Sequence, residues 1–167
     1  LEGINKLYSY LNDRVLYLVN CAASAIKNLY SYISGEEASI KAILLDAISG
    51  NLSMDEENRN VDISFFAISE VLKSKGVNLY GYSLDPENLN KITSPFIANL
   101  KNNHFVVVTN IGNGLVEYLD SDGTNKIEPF LDFKDKFTGF LLSREEIAGL
   151  EKLPSETLKK IIGSYEG

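Results

Sequence analysis

The hydrophobic pattern changes period near Gly76, and that change restricts the fold more than any other feature of the chain. Before it, apolar residues recur three or four positions apart, as on one face of a helix. After it, they come in short runs separated by turn residues, as in strands. Helices first and a meander of antiparallel strands second make an α+β domain in one piece. The 167 residues are enough for one hydrophobic core.

Within the helical half, Ile4, Leu7, Tyr8 and Leu11 have helical spacing, and residues 14–19 form an apolar run of open type. Asn20 is the expected N-cap of a helix over 21–33, with Ala22, Ala25, Ile26, Leu29 and Ile33 as its stripe and Gly35 ending it. A second helix is expected over 36–49. Residues 51–60 read as a polar connection, and a third helix is expected to begin at Asp62 and stop at Gly76. In the second half, strands are expected over 77–83, 95–100, 104–111, 115–120 and 137–143. Asp85-Pro86 opens a short helix. Gly112-Asn113-Gly114 forms a hairpin turn, and residues 121–125 form another that leads into 126–130. Residues 144–167 read as one or two helices, an extension or connector.

Composition narrows the partners. The chain is 44% hydrophobic and 23% charged, with net charge −7 and no basic cluster, which disfavours nucleic acid. No apolar run is long enough for a membrane span, and residues 1–20 do not read as a signal peptide. The opening "LEGINK" lacks Met and is expected of a piece of a longer protein. One cysteine excludes an internal disulfide and a multi-Cys zinc site, and it leaves the compartment open. "DSDGTN" lacks the calcium-loop order, so neither metal nor cofactor is expected.

Three residues can carry chemistry together. Cys21 is either a small buried core residue or a nucleophile. At the first turn of a helix capped by Asn20, free N–H groups would favour its thiolate, and Ala22, Ala23 and Ser24 leave room beside it. His104, the single histidine, is either an ordinary strand-edge residue or a general base that needs an orienting partner. Asp120 is either a turn residue or that partner. If the 112–114 turn pairs positions summing to about 226, His104 faces about position 122, and Asp120 is its diagonal neighbour. A Cys–His–Asp set suffices for thiol-based acyl transfer.

The strings "NCAASAIKNLY", "SPFIANLKNNHFVVVTN", "VEYLDSDG" and "FTGFLLS" resemble the bacteriocin-processing, double-glycine-leader cysteine peptidases, a papain-like family. The likeness covers about residues 15–143 and is strongest over 95–142. Cys21 and His104 are 83 residues apart and His104 and Asp120 are 16 apart, both gaps similar to the family's. The resemblance implies a papain-like peptidase domain over 1–143. It implies Cys21 as nucleophile, His104 as base and acid, and Asp120 as orienting carboxylate. Substrates would be peptides or proteins cut after small residues. Two positions depart from the family: Ala22-Ala23 replaces Gly-Pro, and Val15 stands where a Gln supplies the oxyanion donor. Arg14 and Asn20 are candidate substitutes. The alternatives are a peptide-binding module within a larger secretion or surface protein, a transamidase or esterase using the same triad, and a structural domain with Cys21 in its core. The cytoplasmic face of a transporter and an extracellular site both remain open.

Overall fold

The computed structural model describes residues 21–37, 39, 52–55 and 60–163. Helix α1 spans Cys21–Ser34. Strands β1 (Leu52–Asp55) and β2 (Asn60–Ser64) follow, then α2 (Phe65–Ser74) and β3 (Tyr80–Ser83). A 3-10 helix over Pro86–Lys91 leads to β4 (Phe96–Leu100), β5 (His104–Gly112), β6 (Leu115–Leu119) and β7 (Asn125–Pro129). Helix α3 (Phe130–Lys136), β8 (Phe137–Ser143), the single turn α4 (Ser155–Leu158) and β9 (Ile162–Gly163) complete the described residues.

Six strands form an antiparallel sheet in the order β3-β8-β4-β5-β6-β7, and β1-β2-β9 form a smaller one. The apolar run of β5 is explained by burial on both faces. Phe105 and Val107 point toward α1 and α2 with Ile97 and Leu142. Val106 and Val108 point the other way, with Phe96, Ala98, Leu141 and Phe133. Each Val, Leu, Ile or Phe side chain so taken from water contributes about 1.5–3 kcal/mol, so the centre of the sheet is firmly packed. His104 stands at the start of this doubly covered strand.

The β5–β6 hairpin turns at Asn113-Gly114, both at positive φ, with Gly112 opposite Leu115. The register shifts between Val108 and Asn110, and beyond that bulge Val107 faces Leu119. Sheet spacing therefore brings Asp120, one step past β6, near the start of β5.

Several expected elements differ. Residues 51–60 are not only a connection: 52–55 and 60–64 pair as an antiparallel hairpin, which backbone hydrogen bonds form without an apolar pattern. Asp62 does not cap α2. It is paired in β2, and Ser64 caps instead, its Oγ accepting from the Ala67 N–H at 3.1 Å. Helix α3 is an addition to the expected elements; its Phe133 fills the core beneath Tyr118, at 5.3 Å between ring centroids. The helical expectation for 144–167 holds over Ser155–Leu158 only, among the described residues. Gly149 at φ 85 and Pro154 interrupt the chain. The segment is tied down instead, Leu153 N–H to the Gly81 carbonyl and the Phe65 N–H to the Ile161 carbonyl, both at 2.8 Å. The expected helix at 4–11, the run at 14–19, the Asn20 cap and nearly all of the 36–49 helix lie outside the described residues.

Candidate active site

Cys21 is the first residue of α1 and is 1% exposed. Its thiol donates to the Asn103 carbonyl at 3.5 Å. Asn103 ends the tight connection from β4 to β5, in which Leu100 pairs with His104 and both Asn102 and Asn103 take left-handed backbone angles. The loop that delivers His104 is thus the loop that touches the sulfur.

His104 Nε2 lies 2.7 Å from Asp120 Oδ1. This leaves Nδ1 for the sulfur side, and the Cys21 side chain is a second hydrogen-bonding partner of the ring. Burial works to lower the His104 pKa. The Asp120 bond, the Cys21 bond and the charges of both outweigh it and raise the value to about 10. Asp120 is held well below the usual carboxylate range. The His104 bond is the main cause, acting against burial, with Lys126 and the Ser121 N–H adding to it. The Ser121 N–H donates to Oδ1 at 2.7 Å and Lys126 Nζ to Oδ2 at 2.6 Å. Sheet, helix and turn therefore bring together all three residues expected from the sequence.

Other residues brace this group. Asn28 of α1 donates to the Asp120 carbonyl at 3.1 Å, tying the helix to the turn. Asn99 is buried within the sheet. It donates to the His104 carbonyl at 3.3 Å and accepts from Thr138 Oγ1 at 2.8 Å. Thr138 belongs to the Phe-Thr-Gly string, whose sequence signal is therefore a support for the His104 strand. Lys126, Asn28 and Asn99 carry no signal of their own, because their roles depend on the β6–β7 hairpin register, on the packing of α1 against the turn after β6, and on the pairing of β4 with β5 and β8. A cleft of about 720 Å³ opens beside the pair, lined by His104, Asp120, Lys126, Tyr118 and Glu128 among others. Gly163 of β9 packs so closely on the sulfur that a β-carbon there would stand 3.0 Å from Sγ. Val15, Arg14 and Asn20, the positions bearing on the oxyanion donor, lie outside the described residues.

This arrangement can hold a proton between sulfur and imidazole and pass it to a bound group. Comparison with known proteins bears on that chemistry. A family model described as the peptidase C39 family matches residues 41–148, a span that contains His104 and Asp120 and begins after Cys21. No match is found among curated proteins. Three of the solved structures that share the fold are the following. One is described as a double glycine motif protease from an AMS/PCAT transporter in complex with the leader peptide. It has TM-score 0.62 and 21% identity, and the likeness covers 75% of this chain and 83% of that one. The N-terminal peptidase C39 like domain of a toxin secretion ATP-binding protein from Vibrio parahaemolyticus has TM-score 0.57 and 15% identity, over 74% of this chain and 94% of that one. The peptidase domain of Streptococcus ComA, described as a bi-functional ABC transporter, has TM-score 0.57 and 18% identity, over 74% and 89%.

Proposed function

Because the chain belongs to the peptidase C39 family, a family of cysteine peptidases, we propose that Cys21, His104 and Asp120 are its catalytic triad and that it hydrolyses peptide bonds after small residues in leader or propeptide segments. The observation that supports this reading is the His104–Asp120 bond at Nε2, with the Cys21 side chain as a second partner of the ring. The substrate class is supported by the structural neighbour solved in complex with a leader peptide.

The Cys21 thiolate attacks the scissile carbonyl carbon, a C–S bond forms, and the carbonyl electron pair moves to oxygen. His104, as imidazolium, gives its Nδ1 proton to the leaving amine as the C–N bond breaks, leaving a thioester. A water passes a proton to His104 and its oxygen attacks the thioester. The C–S bond breaks, releasing the acid and restoring the thiolate. Asp120 keeps the ring in the tautomer that presents Nδ1. The backbone N–H of Cys21 is one oxyanion donor. The chain contains no glutamine, and a missing donor costs about 10²–10³ in rate, so slow turnover is expected.

The test is hydrolysis of a reporter peptide ending in two glycines before the cut, with a thiol-reactive peptide probe in parallel. Cys21→Ala should abolish cleavage, and His104→Ala should lower both cleavage and labelling by about 10²–10⁴, the usual worth of acid–base assistance. Hydrolysis that survives Cys21→Ala, or labelling equally fast without His104, would sink the reading. The near-complete burial of Cys21 and the missing glutamine favour one second reading, a module that binds such peptides without cutting them. Peptide binding with no cleavage product would establish it.

A further inference from the structure

We propose that Lys126 is a positioning residue for this reaction: its ammonium grips the outer oxygen of Asp120 so that the inner oxygen stays on His104. The inference rests on the triad reading above. Asp120 Oδ1 receives the Ser121 N–H at 2.7 Å and faces His104 Nε2 at 2.7 Å. Oδ2 has Lys126 Nζ at 2.6 Å, the only side chain on that oxygen among the described residues. A carboxylate held by donors at one oxygen can still turn about its Cβ–Cγ bond. A cation on the other oxygen stops that rotation.

The local fold is built to deliver this contact. In the β6–β7 hairpin Tyr118 pairs with Lys126 and Leu119 with Asn125. Side chains two apart share a sheet face, so Tyr118, Asp120 and Lys126 point the same way. The connecting turn is closed by the Asp120 N–H to the Thr124 carbonyl at 3.0 Å and the Gly123 N–H to the Asp120 carbonyl at 2.9 Å. Asp122 Oδ1 locks it, accepting from the Thr124 N–H at 3.0 Å and hydroxyl at 2.6 Å. Lys126 is 47% exposed at its side chain while Asp120 is only 15% exposed. Exposed ion pairs contribute little to stability, so the consequence of this one lies in where it aims the carboxylate.

The charged and titratable neighbours of the unit are few. His104 faces Cys21 from α1 and Asp120 from the β6–β7 turn. Asp120 faces His104 and Lys126. Asp122 and Glu128 act on Lys126 from a distance, Tyr118 lies beside Glu128, and Glu128 is engaged by Lys136 at 2.8 Å. No second cation is bonded to Asp120 Oδ2 among the described residues.

The experiment compares the full chain with Lys126→Met and Lys126→Arg. Steady-state hydrolysis of the reporter peptide is one readout. The imidazole NMR titration is the other, assigned without ambiguity because the chain has one histidine. Lys126→Met should lower kcat by roughly 10-fold, the lower end for partners that orient a reacting group's support, with KM unchanged. The His104 midpoint should fall, because a wandering carboxylate no longer holds the imidazolium. Lys126→Arg should restore both, together with the part of the thermal midpoint that Lys126→Met loses as the His104 value falls. An unchanged kcat and midpoint would overturn the proposal. So would a rise in the midpoint, which is what simple loss of a nearby positive charge produces. An inactive wild type whose His104 midpoint still falls in Lys126→Met would sink the triad reading and leave the grip on Asp120 standing. An active wild type indifferent to Lys126 would do the reverse.

Discussion

The Cys21 thiol and the Asn103 carbonyl lie 3.5 Å apart, and Asn103 is the residue immediately before His104. Sulfur and imidazole are therefore held to one another through the backbone of a three-residue loop as well as through their own contact. Asn102 and Asn103 sit at φ 68 and 57, angles that asparagine tolerates and β-branched residues avoid. Asn103→Val is expected to cost about 1–2 kcal/mol and to slow thiol labelling, while Asn103→Gly leaves both close to wild type. Thermal unfolding and probe kinetics check this. A valine variant as stable and as reactive as the parent would show that the loop does not hold the sulfur.

The pH profile follows from His104. Its pKa is raised to about 10, so the imidazolium needed to protonate the leaving amine persists through the neutral range. The alkaline limb of kcat/KM is expected near that value. The same shift stabilises the fold fully below the ordinary value of 6.5, and this stabilisation is lost as pH rises through about 10. Asp120→Asn replaces the charged acceptor that raises the pKa by a neutral one, so the limb should move to lower pH. A limb that does not move would mean that Asp120 does not act on the ring.

The Phe-Thr-Gly string makes a third prediction. Thr138 Oγ1 donates to Asn99 Oδ1 at 2.8 Å and lies 3.0 Å from the Asn99 carbonyl oxygen, and Asn99 in turn donates to the His104 carbonyl. Thr138→Val keeps the shape and leaves a buried amide oxygen without its donor. A loss of about 1–3 kcal/mol is expected, read by denaturant unfolding, with the His104 imidazole resonance displaced. A variant that unfolds with the parent and shows an unmoved resonance would remove Asn99 from the support of the strand.

What is legible in the sequence is governed by how local the cause is. The two-residue turn at Asn113-Gly114 and the run Phe105–Val108 announce themselves, because turn chemistry and burial on both faces act on neighbouring residues. The diagonal placement of Asp120 can be counted from the hairpin. The cap of α2 is ambiguous because Asp62 and Ser64 are both good caps, and only the pairing of 60–64 with 52–55 decides between them. The segment after Ser143 has helical spacing, yet its backbone is taken up by Gly81, Phe65 and β2, partners remote in sequence. Lys126 does not stand out among the lysines, since its contact with Asp120 depends on hairpin register and on the Asp122–Thr124 lock.

The final prediction concerns Gly163, in the two-residue strand β9. An added β-carbon would stand 2.6 Å and 2.7 Å from atoms of the Phe105 ring and 3.0 Å from Cys21 Sγ. Phe105 cannot give way easily, because it is 1% exposed and stacked on Phe65 at 4.8 Å between centroids. Among the described residues the strand pairs with β2 through Ile63–Gly163 and Ser64–Ile162, next to the bond from the Phe65 N–H to the Ile161 carbonyl. Overpacking of this kind costs about 1–3 kcal/mol, and the easiest relief is for β9 to lift from the sulfur rather than for the ring to move. Gly163→Ala should therefore lose stability by that amount and label faster at Cys21 than the parent, whereas Phe105→Leu alone, which keeps the strand seated, should lose stability with little gain in labelling. Equal labelling of Gly163→Ala and the parent would show that β9 does not limit access to the thiol.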